Sequence, residues 1–152
     1  LLIDEWISNF LDEVVIPEKI KLVKKLNAGA EVNINPESFR RCLINLVDNA
    51  VQAMTTMEKQ STSRKITPLS NELIIETVME EGNLIIRIKD NGIGIDEQGL
   101  KKIFEPLYST KGFGVGLGLP IVKKIIEQHK GGIEIKSKPG EGTIAFLWLP
   151  AI

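Results

Sequence analysis

Three places in the sequence gather residues whose types and spacing could do chemistry. Asn45 and Asn49 stand four apart with Gln52 further on, so on a helix the three amides share one stripe. Amide oxygens are hard, neutral ligands of the kind that Mg²⁺ accepts alongside water. In "DNGIGI", the carboxylate of Asp90 stands beside Gly92 and Gly94, whose bare backbone would let a flat ligand lie close. A carboxylate held there could accept from an exocyclic amine such as adenine N6. Finally, Ser109, Thr110 and Lys111 precede Gly112, Gly114, Gly116 and Gly118, four glycines in seven positions that run into a helical pattern. Free N–H groups and the positive end of a helix dipole would suit an anion there, and the hydroxyls and ammonium would suit terminal phosphate oxygens. Taken singly, each has an ordinary alternative: a solvated helix face, a turn after a strand, a polar loop.

The elements that must position these residues can be read from the spacing of apolar side chains. Trp6, Ile7, Phe10, Leu11, Val14 and Val15 predict a helix over Asp4–Val15, ended by Pro17. Strands are expected over Lys19–Leu26 and Glu31–Asn35, across the Asn27-Ala28-Gly29 turn. Asn35 as N-cap and Pro36 at the first helical position open a long helix, whose buried stripe is Phe39, Leu43, Leu46, Val47, Ala50 and Met54. Polar, patternless Thr55–Ser70 reads as an exposed loop. A hairpin follows over Glu72–Glu80 and Leu84–Lys89, then a short helix over Gln98–Phe104. A last helix over Leu117–Lys130 carries Ile121, Val122, Ile125, Ile126 and His129 on one stripe, and strands Ile133–Ser137 and Thr143–Leu149 close the chain. This order predicts an α+β fold, a two-layer α/β sandwich whose mixed, mostly antiparallel sheet is covered on one face by helices.

Composition narrows the function. The 152 residues suit one domain over 1–152, and 19 basic against 20 acidic residues leave a net charge of −1, so no overall field recruits nucleic acid or anionic lipid. Phosphate binding must therefore be local. No apolar run reaches the length of a membrane span. The single cysteine, Cys42, cannot form an internal disulfide and is expected as a small buried side chain in a reducing, cytoplasmic setting. The sequence starts at Leu1 without a methionine and is expected to be a piece of something longer, with residues 1–15 as the tail of a linker helix.

In order along the chain, "NLVDNAVQAM", "DNGIGI", "IFEPLYSTK", "GVGLGL" and "GEGTIAF" resemble the N, G1, F, G2 and G3 boxes of the catalytic, ATP-binding domain of sensor histidine kinases. These belong to a larger group with gyrase, heat-shock chaperone and mismatch-repair ATPases. The resemblance runs from about Val14 to Pro150 and implies a Bergerat-type fold, not a P-loop, and nothing here matches G-x-x-x-x-G-K-[ST]. It further implies that Asn49 holds Mg²⁺ with Asn45 assisting, and that Asp90 binds adenine N6 in a base pocket shaped by Gly92, Gly94, Ile95 and Thr143. Gly99 to Gly116 would form the ATP lid, anchored by Phe104. Ser109, Thr110 and Lys111 would lie near the γ-phosphate, and Gly114, Val115, Gly116, Leu117, Gly118 and Leu119 would wrap the phosphates.

The hydrolysing relatives carry a glutamate general base at the position of Asn45, and an amide cannot take that proton. Asn45 thus implies phosphoryl transfer to another protein, with Asn45, Thr110 and Lys111 as the catalytic set. The sole histidine, His129, lies between an apolar stripe and a helix C-terminus and reads as a packing and capping residue rather than a phosphoacceptor. A separate dimerisation and phosphoacceptor domain, a response-regulator receiver and a monomeric isolated domain are the expected partners and state. Gln52 and Ala53 stand where many members carry a basic and then an aromatic residue, a pattern similar to the nitrogen-regulator branch, which leaves Lys111 to face the phosphates. Competing readings are an ATP-hydrolysing clamp and a degenerate nucleotide sensor of the same fold.

Overall fold

A computed structural model describes residues 1–63, 71–105 and 118–152. Among the described residues, four helices, α1 (Ile3–Glu13), α2 (Pro36–Ser63), α3 (Glu97–Lys102) and α4 (Gly118–Gln128), accompany five strands, β1 (Ile20–Leu26), β2 (Asn71–Glu80), β3 (Asn83–Asp90), β4 (Gly132–Lys138) and β5 (Gly142–Pro150). The strands form one sheet in the order β1-β2-β3-β5-β4. Only β1 and β2 run parallel, because α2 crosses between them; every other neighbouring pair is antiparallel. This is the two-layer α+β sandwich expected from the sequence.

The core lies between the sheet and α1, α2 and α4. Strand alternation sends Leu73, Ile75, Leu84, Ile86, Ile88, Ala145, Leu147 and Leu149 to the covered face, where they are buried. From the other side come Ile3, Ile7 and Phe10 of α1, the expected stripe of α2 together with Cys42, and Val122, Ile125 and Ile126 of α4. Burial pushes the Cys42 thiol up to about 12, so it is a packing residue without thiolate reactivity. Asn35 caps α2 as its residue type predicts, its side-chain oxygen accepting from the Ser38 N–H at 3.0 Å.

Three expectations are corrected. Thr55–Ser63 continues α2 rather than forming a loop, while 64–70 lie outside the described residues. The segment has no glycine or proline before Pro68, and Thr55 and Thr56 return their hydroxyls to the carbonyls of Val51 and Gln52 at 2.9 Å. Thr55 and Thr56 are exposed, and the helix they continue is already nucleated upstream. Glu31–Asn35 is no strand but makes isolated bridges, Leu2 to Glu31 and Val32 to Ala151, which tie the two chain ends together. Helix α1 stops at Glu13, and Val15 beyond it is 96% exposed rather than part of the stripe.

Candidate functional site

Helix α2 links two clusters. At its middle, Asn45 and Asn49 are both half-buried, while Gln52 is exposed. The stripe is therefore not simply a solvated face. Asn45 looks toward the start of α4: a Cβ added to Gly118 would lie 3.6 Å from Asn45 Oδ1, an ordinary contact. The Asn45 oxygen thus lies beside Gly118, the first residue of α4. One turn further along α2 than Asn49, Ala53 meets the loop after β3. The Ile93 N–H donates to the Ala53 carbonyl at 3.1 Å, and a Cβ on Gly92 would stand 2.6 Å from the Ala53 backbone. That approach admits glycine alone, and it explains why a small residue at 53 fits.

The second cluster surrounds Asp90, the last residue of β3, which is 5% exposed. Its Oδ1 accepts from the Gly92 N–H at 2.8 Å, and the Thr143 backbone N–H also donates to the carboxylate. Burial nevertheless dominates and pushes the carboxyl from 3.8 up to about 6 against the lowering effect of these two donors. Gly94 follows with φ +78°, where a Cβ would collide with the Lys138 carbonyl at 2.1 Å. The Gly140 N–H reaches back to the Ile93 carbonyl at 2.7 Å, and the Ile95 N–H to Ser137 Oγ at 2.8 Å. The loop after β3 is thus clamped onto the β4–β5 turn, with Thr143 directly across from Asp90. Asp96 then caps α3 by accepting from the Gly99 N–H at 2.7 Å.

Of the residues singled out in the sequence, Asp90, Gly92, Gly94, Ile95 and Thr143 come together at one end of the sheet. Asn45 meets Gly118 where α2 packs on α4, with Asn49 one turn further along α2 and Leu119 next to Gly118 in the chain. Phe104 follows α3, half-buried, with Lys123 Nζ of α4 5.2 Å from its ring centre. Gly99, expected at the start of the lid, is buried within α3. Ser109, Thr110, Lys111, Gly112, Gly114, Val115, Gly116 and Leu117 lie outside the described residues. His129 spends both ring nitrogens on the backbone: Nδ1 bonds the Ile125 carbonyl at 2.8 Å, and Nε2 accepts from the Asn35 N–H at 3.3 Å. It staples α4 to the start of α2. The Ala53 carbonyl and Ser137 were not seen in the sequence; their roles depend on which loop packs against which strand.

The family described as "Histidine kinase-, DNA gyrase B-, and HSP90-like ATPase" matches residues 34–152. The chain belongs to this family. Sporulation kinase C of Bacillus subtilis is 31% identical over 146 residues, covering 95% of this chain and 31% of the kinase. The signal transduction histidine-protein kinase AtoS of Escherichia coli is 34% identical over 137 residues, covering 89% of this chain and 20% of AtoS. Among solved structures, the nucleotide-free catalytic domain of histidine kinase ThkA superposes with a TM-score of 0.76 at 25% identity, over 99% of this chain and 93% of that one. The chain is a histidine kinase catalytic domain of the ATP-binding type, and it spans less than a third of the length of these two curated relatives. No described helix is long and apolar enough to cross a membrane.

Proposed function

We propose that this domain binds Mg²⁺ and ATP and donates the γ-phosphoryl group to a histidine on a separate dimerisation domain of the same sensor kinase. From there the group would pass to a response-regulator receiver in the cytoplasm. The observation that carries the reading is Asn45, a half-buried amide facing the start of α4 where the hydrolysing relatives would need a glutamate. An amide can orient a ligand but cannot take a proton from water, so the chain favours transfer over hydrolysis.

The two clusters would hold opposite ends of the nucleotide. Asp90 and Thr143 take the base, and the region of Asn45, Asn49 and Gly118 takes the phosphates. Asn45 and Ala53 are eight residues apart on α2, a rise of about 12 Å, so one rigid helix fixes the separation of the two ends. The donor set fits a hard cation: Asn45 and Asn49 offer amide oxygens, and among the described residues no group of three His, Cys, Asp or Glu could hold a metal unaided. Asn49, with Asn45 beside it, would hold Mg²⁺ jointly with phosphate oxygens. When bound, the ion neutralises charge on the transferring phosphoryl group. The chain's own residues supply placement. The N-terminus of α4 would offer N–H groups to the phosphates, Lys111, Ser109 and Thr110 are assigned to the γ end, and Phe104 would anchor the segment that leads to them. Replacing Asn49 with Asp, or Asp90 with Ala, should abolish phosphorylation by the full kinase while circular dichroism shows the fold intact. Undiminished phosphorylation would remove the assignment.

A further inference from the structure

Ser137, near the end of β4, sits in a row across three strands. It is the register partner of Thr143 on β5, and Thr143 is the partner of Asp90 on β3, so the three side chains share the helix-covered face. Three contacts converge on the serine oxygen at 2.8 Å each: the Ile95 N–H, the Gly142 carbonyl and Thr143 Oγ1. Counting protons settles their directions. A hydroxyl donates one hydrogen and accepts two. The Ile95 N–H can only donate, and the Gly142 carbonyl can only accept, so the Ser137 proton goes to Gly142. The remaining contact forms only if Thr143 donates its own proton to Ser137. The opposite assignment would leave two proton-free oxygens 2.8 Å apart at Gly142. Thr143 Oγ1 is therefore left with lone pairs alone on its other side, next to a carboxylate that also offers lone pairs alone.

We infer that Ser137 is a positioning residue for base selectivity: by taking the Thr143 proton it makes the recognition edge acceptor-only, which selects a purine 6-amino group and rejects a 6-oxo group. The inference rests on the base pocket proposed above. Without Ser137 the Thr143 hydroxyl would turn freely and donate to a 6-oxo purine as readily as it accepts from a 6-amino one. Ser137 touches no ligand itself and acts through Thr143.

The test measures dissociation constants of ATP and ITP, each with Mg²⁺, for the wild-type chain, Ser137→Ala, Ser137→Thr and Asp90→Asn by calorimetry. Ser137→Ala should lower the preference for ATP over ITP by about fivefold, the effect of one hydrogen bond of ordinary strength. Ser137→Thr, which keeps a hydroxyl, should restore the preference. A purely structural role would weaken both nucleotides alike and leave the ratio where it was, and that result overturns the inference. Should the alanine variant fail to fold, Ser137→Cys keeps the volume but is a poor hydrogen-bonding partner, and the same fall in the ratio is expected. If Asp90→Asn binds ATP as tightly as the wild type, the pocket itself is misassigned and both readings fall. If Asp90→Asn loses ATP and Ser137→Ala keeps the ratio, only the role of Ser137 falls.

Discussion

Replacing Asp90 with asparagine should stabilise the domain while weakening its hold on ATP. The carboxyl is 5% exposed and titrates near 6 instead of 3.8, chiefly because burial disfavours its charge. Between those two values the unfolded chain gives up the proton while the folded chain keeps it, so the carboxylate's destabilising effect grows as pH rises through the window. Above pH 6 it is complete, and a shift of this size corresponds to about 3 kcal/mol. Asparagine removes the charge and keeps an oxygen for the Gly92 N–H, but its NH₂ cannot accept the second backbone N–H, which costs about 1–2 kcal/mol. A net gain of about 1–2 kcal/mol at pH 7 is left. Urea unfolding at pH 4, 5, 6 and 7 reads it directly: the stability of the variant minus that of the wild type should climb with pH and level off above about 6. ATP affinity of the wild type should fall as pH drops below about 6, where the protonated carboxyl stops accepting from the base. The variant should bind ATP at least about tenfold more weakly at pH 7. A stability difference flat in pH, or one favouring the wild type at pH 7, would refute the claim that burial rather than its hydrogen bonds governs Asp90.

Two further substitutions separate the scaffold from the chemistry. Gly94→Ala would place a Cβ 2.1 Å from the Lys138 carbonyl at a φ of +78°. The strain and the forced opening of the loop from the β4–β5 turn should together cost about 3 kcal/mol or more, seen as a lowered urea midpoint and lost ATP binding. Lys111→Ala should weaken ATP more than ADP, because the ammonium is assigned to the γ end; equal losses in a paired titration would contradict that assignment.

Much of this fold was legible because its signals are local. The α2 stripe from Phe39 to Met54, the Asn35-Pro36 helix start and the hairpin of β2 and β3 each follow from a few neighbouring residues, and each stands where it is expected. The residues we assign to the base gather for a similar reason: Asp90 through Ile95 are contiguous, and one strand pairing brings Thr143 opposite. What could not be read depends on distant partners. The polar end of α2 resembles a loop until the helix preceding it is known. Glu31 and Val32 look like a strand, but among the described residues they bridge only to Leu2 and Ala151, near the two ends of the sequence. Ser137 is an unremarkable polar residue until β4 is set against β5 and the loop after β3 folds onto both.

Transfer of the γ-phosphoryl group, rather than its release as free phosphate, is the activity we propose for this domain. The most direct measurement mixes the chain with the histidine-bearing dimerisation domain proposed as its acceptor, γ-labelled ATP and Mg²⁺, and follows protein-bound label and free phosphate together. Acid-labile, Mg²⁺-dependent label on that domain, with little free phosphate, is the predicted result. Rapid free phosphate without labelled protein would contradict it and would require a general base somewhere other than position 45.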